Sequence, residues 1–220
     1  MSQIKLKHSG GNGVIIAAPS SNPAADRTLL LPSDGDGTIL TTNSAVGSWI
    51  KLSTTTISSN VSNVTFTNSI TDAFDTYKMY AIVFSQLQPT DDGVELRMRI
   101  QEGGSTDTGS NYRFRVFSMD GNESGSSSDT LRLNKDPLGN DTSGSAILGD
   151  TNGVIYMTNF EANRLWKYYG YHFFLNNSAD KNFDTFGGGV NGTNATTGVL
   201  IYPESGSWAS GSVSLFGIAQ

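Results

Sequence analysis

The apolar and polar positions of this chain repeat with a period of two over most of its length, which is the signature of β-strands. The pattern centres on the stretch from Phe74 to Gly104. Lys78 to Leu87 is nearly all apolar, β-branched or aromatic, with Tyr80, Ile82 and Phe84 on one side of a strand and Met79, Ala81 and Val83 on the other. A strand apolar on both sides belongs in the middle of a sheet. Pro89 and Thr90-Asp91-Asp92-Gly93 then supply turn chemistry. Beyond them Val94, Leu96, Met98 and Ile100 alternate with Glu95, Arg97, Arg99 and Gln101. Two strands joined by so short a loop predict a hairpin at the centre of the fold.

From Thr54 onward the same reading predicts about nine or ten strands. Val61 to Phe66 alternates, and Tyr112 to Phe117 interleaves aromatics and Val with arginines. Leu131–Leu133, Val154–Met157, Trp166–Leu175, Phe183–Val190, Gly198–Tyr202 and Ser212–Ile218 follow. In the last of these Val213 and Leu215 share one face, Phe216 and Ile218 the other. Phe160 to Tyr169 suits either a helical turn or a strand, and its aromatic density favours strand. Gly103 to Ser110 and the Gly/Ser-rich Asp120 to Asp129 are expected to be loops, the second the most flexible segment of the chain. So many short strands predict two packed sheets.

Residues 1–52 are organised differently. Strand-like pieces at Ile4–Lys7, Val14–Ala18, Arg27–Leu31 and Thr38–Thr42 are separated by Gly10-Gly11-Asn12-Gly13, Pro19–Ala25 and Pro32–Gly37. Each piece is short, and an isolated two-stranded hairpin of that size is marginal in water. An intertwined oligomeric stem would bury Leu29, Leu31, Ile39 and Leu40 between copies, with Trp49 and Leu52 seating it on the domain that follows. The expected organisation is a stem at 1–52 and a β-sandwich at 53–220.

Composition narrows the chemistry. Charged residues are only 15% of the 220, and the net charge of −6 argues against a nucleic-acid backbone as partner. The chain has no cysteine, which excludes disulfides and cysteine-ligated zinc. The start lacks the apolar stretch of a signal peptide, and no apolar run approaches membrane-spanning length, so folding in a reducing cytoplasm without membrane insertion is expected.

Catalytic motifs are scarce. His8 and His172 are the only histidines, and no Ser, His and Asp set stands out for a hydrolase. Asp34-Gly35-Asp36-Gly37 resembles part of a calcium loop, yet the positions that follow supply no closing acid, so turn chemistry accounts for it better. The glycine runs at 10–13 and 187–192 neither open a helix nor carry a phosphate-binding Lys. Glu95, Glu102, Glu123, Glu161 and Glu204 offer carboxylates, but no spacing selects a glycosidase pair. No catalytic centre, cofactor or metal site is expected. Binding is expected instead in the polar loops Gly103–Asn111 and Asp120–Thr130, with Tyr112, Asn111 and Asn122 as candidate ligand-contacting residues, since loops on a rigid scaffold commonly carry binding.

Two stretches resemble a known class. In Ser9–Thr42 an apolar strand ends in Ala18-Pro19, Asn22 sits in a loop, Thr28–Pro32 reads Thr-Leu-Leu-Leu-Pro, and Asp36–Thr41 reads Asp-Gly-Thr-Ile-Leu-Thr. These features resemble a module near the start of many tailed-phage virion proteins, especially from marine and cyanobacterial phages. Gly198–Gln220 is similar to the closing strands of phage fibre and adhesin-like β-sandwiches, through Leu200-Ile201-Tyr202, Ser205–Trp208 and Ser210–Ile218. The Tyr77 and Tyr80 lead-in to the central strand also fits. The resemblance implies a homotrimer with a stem that attaches to other virion proteins and a jelly-roll-like head. It implies a short tail fibre or receptor-binding protein that touches host surface glycan or protein. The alternative it implies is a head decoration (cement) protein that stabilises the capsid as a surface trimer.

Overall fold

A computed structural model describes residues 3–7, 10–11, 13–17, 49–67, 76–119, 121–140, 150–161, 163–192 and 194–218. The chain divides into two compact units, 1–43 and 44–220.

In the first unit β1 (Gln3–Lys7) pairs antiparallel with β2 (Gly13–Ala17), Gln3 opposite Ala17 and Lys7 opposite Gly13. The strand-like pieces at Arg27–Leu31 and Thr38–Thr42 and the Asp34–Gly37 motif lie outside the described residues.

The second unit is all-β, and no helix occurs among the described residues. Its strands are β3 (Trp49–Ile57), β4 (Val64–Thr67), β5 (Met79–Pro89), β6 (Leu96–Glu102), β7 (Ser105–Thr106), β8 (Tyr112–Ser118), β9 (Gly121–Ser128), β10 (Leu131–Arg132), β11 (Thr151–Thr158), β12 (Leu165–Leu175), β13 (Lys181–Asn191), β14 (Thr196–Pro203) and β15 (Trp208–Ile218). They form two antiparallel sheets, one ordered β3-β15-β5-β11-β12-β13-β8-β9 and the other β10-β6-β14-β4 with β7 beside β6. Strands β3, β4, β5, β6, β10, β11, β14 and β15, numbered first to eighth, run first-eighth-third-sixth in one sheet and second-seventh-fourth-fifth in the other. That wrapping is a jelly roll. Two insertions, β8-β9 and β12-β13, pair with each other and widen the larger sheet beyond β11.

One continuous core lies between the sheets. The alternation in β6 and β8 buries Leu96, Met98 and Ile100 and Tyr112, Phe114 and Val116. Val213 and Leu215 do the same from β15, which sits between β3 and β5 as a closing strand. Strand β5 is an interior strand, as its two apolar faces imply. Its inward set changes phase part-way: Tyr80, Ile82 and Phe84 face the core, then Leu87 and Pro89. The shift is a bulge at Gln86, whose φ is 53°. Gly211 of β15 (φ 119°) lies against it, and a Cβ there would stand 2.6 Å from the Gln86 carbonyl oxygen. Only glycine suits that conformation and that approach.

Four expectations need correction. Strands β5 and β6 are not a hairpin: β5 pairs with β15 and β11, β6 with β10 and β14. The loop between them crosses from one sheet to the other, and its backbone bonds run elsewhere, Thr90 N–H to Ser207 O and Gly93 N–H to Leu138 O. Inward alternation is the same whether two strands share a sheet or face each other across a core.

The Gly/Ser-rich segment is not a loop, because Gly121–Ser128 is strand β9, the edge partner of β8. Its lack of bulk is what fits it there. Gly125 lies opposite Phe114, and a Cβ on it would stand 2.3 Å from that ring.

Finally, β12 begins only at Leu165, so Phe160, Glu161, Asn163 and Arg164 are not strand. Strand β3 in turn runs through the expected boundary at 52 and pairs along its length with β15, so Trp49 and Leu52 are part of the sandwich.

Candidate binding face

The two outer faces of the sandwich differ in chemistry. On the smaller sheet, Arg97 contacts Glu95 at 2.8 Å and Glu204 at 2.5 Å. Arg132 reaches Glu95 at 2.7 Å and also pairs with Glu123. Arg99 contacts Asp129 at 2.7 Å and lies over the Tyr202 ring. This is a charged face suited to water.

The larger sheet presents aromatic rings instead. In β12 the residues Trp166, Tyr168, His172 and Phe174 point inward, so Tyr169, Tyr171 and Phe173 must point outward. Register places Tyr169 beside Tyr156 of β11 and Phe173 beside Phe183 of β13, with Phe117 of β8 opposite Thr185 of β13. Trp49 of β3 and Phe216 of β15 continue the face on the other side. Trp49, Phe117, Tyr169, Tyr171, Phe173 and Phe183 are each 40–50% exposed. The rings contact one another: Tyr156 stacks on Tyr169 at 5.1 Å, Trp49 meets Tyr156 edge-on at 5.8 Å, and Tyr171 lies 5.9 Å from Phe183. At the margin the Arg115 guanidinium sits 5.1 Å above Phe117.

Between β3 and β12 this face sinks into a groove of about 450 Å³ lined by Trp49, Val83, Phe84, Ser85, Asn152, Gly153, Val154, Tyr156 and Tyr171. Its apolar part comes from strands that carry small or β-branched residues between the rings. Its polar end is built by the bulge. Asn152 Oδ1 accepts from the Gln86 N–H at 2.8 Å and from Ser85 Oγ at 3.3 Å, while Asn152 Nδ2 donates to Asp150 Oδ1 at 3.3 Å. These bonds fix the amide at the mouth of the groove. Partial burial, then the neighbouring Tyr171 and Tyr169 phenols, raise the pKa of the Tyr156 hydroxyl.

The residues expected from sequence to contact a ligand are placed apart. Tyr112 is fully buried; its hydroxyl accepts from the Ile100 N–H at 3.2 Å and donates to the Asp107 carbonyl at 2.9 Å. It ties β8 to β6 across the core and has no exposed ring face to offer a sugar. Burial first of all raises its pKa well above the ordinary phenol value. Asn111 is half-buried and donates to Asp107 Oδ2 at 3.1 Å, holding the 103–111 connection closed with the Gly109 N–H bond to Asp107 Oδ1. Asn122 is exposed on β9, opposite Phe117. Five positions of β8 separate it from Tyr112, roughly 17 Å of strand, so the three residues form no single site. The aromatic face was readable in one signal, the period-two set Tyr169, Tyr171 and Phe173.

Among the described residues no cluster of three or more His, Asp or Glu gathers as metal ligands, and no helix is long and apolar enough to cross a membrane. No protein-family model, curated protein or solved structure matches the chain.

Proposed function

We propose that this chain is a tailed-phage virion surface protein that attaches the particle to its host, a non-enzymatic receptor-binding protein of the short tail-fibre kind. The observation that carries the reading is the groove on the aromatic face. Its volume falls in the ~300–1,000 Å³ range of ligand sites, and its lining has their composition, aromatic and aliphatic surface with a few fixed polar groups. Rings such as Trp49 and Tyr171 pack on the apolar side of a sugar or a flat side chain, while Asn152 and Ser85 supply hydrogen bonds at one end. The resemblance of Ser9–Thr42 and Gly198–Gln220 to virion modules supplies the particle. Such a protein acts by holding its ligand, so shape and stacking suffice and no proton-transfer group is required.

Immunogold labelling of particles with an antibody to this chain tests the location. Label at the tail tip supports attachment; label spread over the shell replaces it with a decoration role; unlabelled particles overturn both. Trp49→Ala and Tyr171→Ala test the groove. Both side chains are half-exposed, so the fold survives while adsorption to host cells falls at least tenfold. Unchanged adsorption would remove the groove from the role.

A further inference from the structure

The floor and the polar end of the groove do not stop at β5; in register they continue across β15 to the edge strand β3. We propose that the groove and this continuation form one site for an uncharged oligosaccharide, recognised by ring faces and hydroxyls rather than by charge. The inference rests on the groove being the ligand site and adds the class of ligand that it takes.

Register arranges the outer face of β3, β15, β5 and β11 in three rows. Lys51, Phe216, Ala81 and Tyr156 make the first, and the Trp49 ring contacts both Phe216 and Tyr156. Thr54, Ser214, Val83 and Val154 make the second. Thr56, Ser212 and Ser85 make the third, which the bond from Ser85 to Asn152 extends onto β11. Ile82, Val213 and Leu215, which alternate with these residues, are buried in the core, so the rows face outward.

The groove occupies the β5 and β11 end of the rows, with Val83 and Val154 in its floor. Toward β3 the second and third rows carry only hydroxyls. Thr54 Oγ1 and Ser214 Oγ share a 2.9 Å hydrogen bond, with Thr56 and Ser212 in the next row. At the ~4.8 Å spacing of strands, the rows extend about 14 Å from β11 to β3, a length suited to a short chain of sugars.

Charge narrows the ligand. No acidic or basic side chain lines the groove or stands in the second and third rows. Lys51 ends the first row at the edge of the sheet, and Asp150 is held behind the Asn152 amide. An anionic sugar would give up its hydration here and find no cation in the lining, with a carboxylate behind the polar end. Desolvating a charge without a partner is costly. A neutral ligand avoids that cost.

Hydrogen bonding narrows it further. Ser85 Oγ gives its proton to Asn152 Oδ1 and so remains an acceptor, while Asn152 Nδ2 spends one proton on Asp150 and keeps the other. An acceptor and a donor side by side match a sugar hydroxyl, which does both. Trp49 and Tyr171, 40% and 47% exposed, add apolar ring surface for the C–H side of a pyranose. A docked helix would want apolar walls on both sides, and an added strand would want exposed main chain. Here one wall is amide and hydroxyl, and the rows present side chains.

Calorimetric titration of the full chain tests the site, using hexose and N-acetylhexosamine oligosaccharides beside matched uronic-acid and sialylated chains. An uncharged oligosaccharide is expected to bind with the same affinity at low and high salt, and its anionic counterpart several-fold more weakly. Trp49→Ala should abolish that binding. Thr54→Val, which keeps a β-branched side chain, should leave the shortest binding sugar unaffected and weaken longer homologues several-fold; Ser214→Val repeats the test should it fail to fold. Tighter, salt-sensitive binding of the anionic chains overturns the proposal, as does a panel in which nothing binds. An unchanged dependence on chain length in Thr54→Val overturns the extension across β15. The two readings of the groove fail separately. Loss of host adsorption in Trp49→Ala with no sugar bound keeps attachment and overturns the saccharide, whereas sugar binding lost in Trp49→Ala with normal adsorption keeps the saccharide and overturns attachment through the groove.

Discussion

His172 Nε2 lies 4.0 Å from Asp184 Oδ2, with both side chains fully buried between the sheets. The contact is not an ion pair at neutral pH. Burial depresses the His172 pKa to about 3, the Leu133 backbone opposing only part of the effect, and His172 Nδ1 shares a 2.9 Å hydrogen bond with Thr151 Oγ1. The ring is neutral and packs on Phe174 at 4.5 Å. A depressed folded-state pKa means that the unfolded chain takes up the proton first. The stability is therefore present above pH 6.5, His172's ordinary pKa, and is lost as pH falls toward 3. The limiting slope is ~1.4 kcal/mol per pH unit for one proton. Asp184 acts in the opposite sense. Burial raises its pKa against the Lys135 N–H bond and the Lys135 charge, while Asp136 adds to the rise, so its contribution is present at low pH and lost as pH rises. Thermal melts from pH 7.5 to 4 should show His172→Asn with a shallower acid loss than wild type and Asp184→Asn with a steeper one. Parallel curves for all three proteins would show that neither group governs acid stability.

Leu215 and Phe216 are neighbours on β15 with opposite fates. Leu215 is fully buried in the core, while Phe216 faces outward against Trp49, ring centres 5.5 Å apart. Leu215→Ala should cost ~2–5 kcal/mol, the range for buried leucines. Phe216→Ala should cost much less, because its ring is only partly covered. Denaturant unfolding of the two single variants decides; equal losses would mean that the outer aromatic face is as well packed as the core.

Edge strand β9 depends on having no side chain at 125. Gly125→Val would drive Cβ into the Phe114 ring, 2.3 Å away in the present geometry. Phe114 must leave the core or β9 must leave β8. The expected result is fast hydrogen exchange confined to the amides of residues 113–128, with the remaining sheet amides protected. Wild-type exchange throughout would show that the ring can yield without cost.

What the sequence disclosed, and what it hid, follows from the reach of its signals. Alternation is local, so the inward sets of β6, β8 and β15 were legible, and so was a two-sheet architecture. Pairing is not local. Val94 to Ile100 reads identically as the second arm of a hairpin and as a strand of the opposite sheet. Composition misled at Gly121–Ser128, where glycine and serine usually mark loops but here clear the way for Phe114. The site followed the same division. Tyr112 carries both an aromatic ring and a hydroxyl, and only the fold shows both consumed, by the core and by Asp107. The groove needed Trp49, Val83 and Tyr156 to meet, residues drawn from three strands that no spacing connects.

The division of the chain at 43/44, with β3 starting at Trp49, makes a prediction about truncation. Residues 44–220 should fold cooperatively, since every described strand of the sandwich lies within them. Beginning at Ser53 would instead remove Trp49–Leu52. That deletes Lys51, Ile50 and Trp49, the partners of Phe216, Gly217 and Ile218, together with the partly buried Leu52 and the ring contacts of Trp49 with Tyr156 and Phe216. Strand β15 would then be an unpaired edge over that stretch, an invitation to aggregate. The shorter chain should melt at least several degrees below the longer, as a loss of one or two kcal/mol implies for a domain of this size. If residues 1–43 attach the protein to a particle, as the resemblance of Ser9–Thr42 suggests, the 44–220 chain should be absent from particles while keeping the melting temperature of the full chain's sandwich. Equal melting of the 44–220 and 53–220 chains would show that the first half of β3 is dispensable. Normal incorporation of the 44–220 chain would move attachment into the sandwich itself.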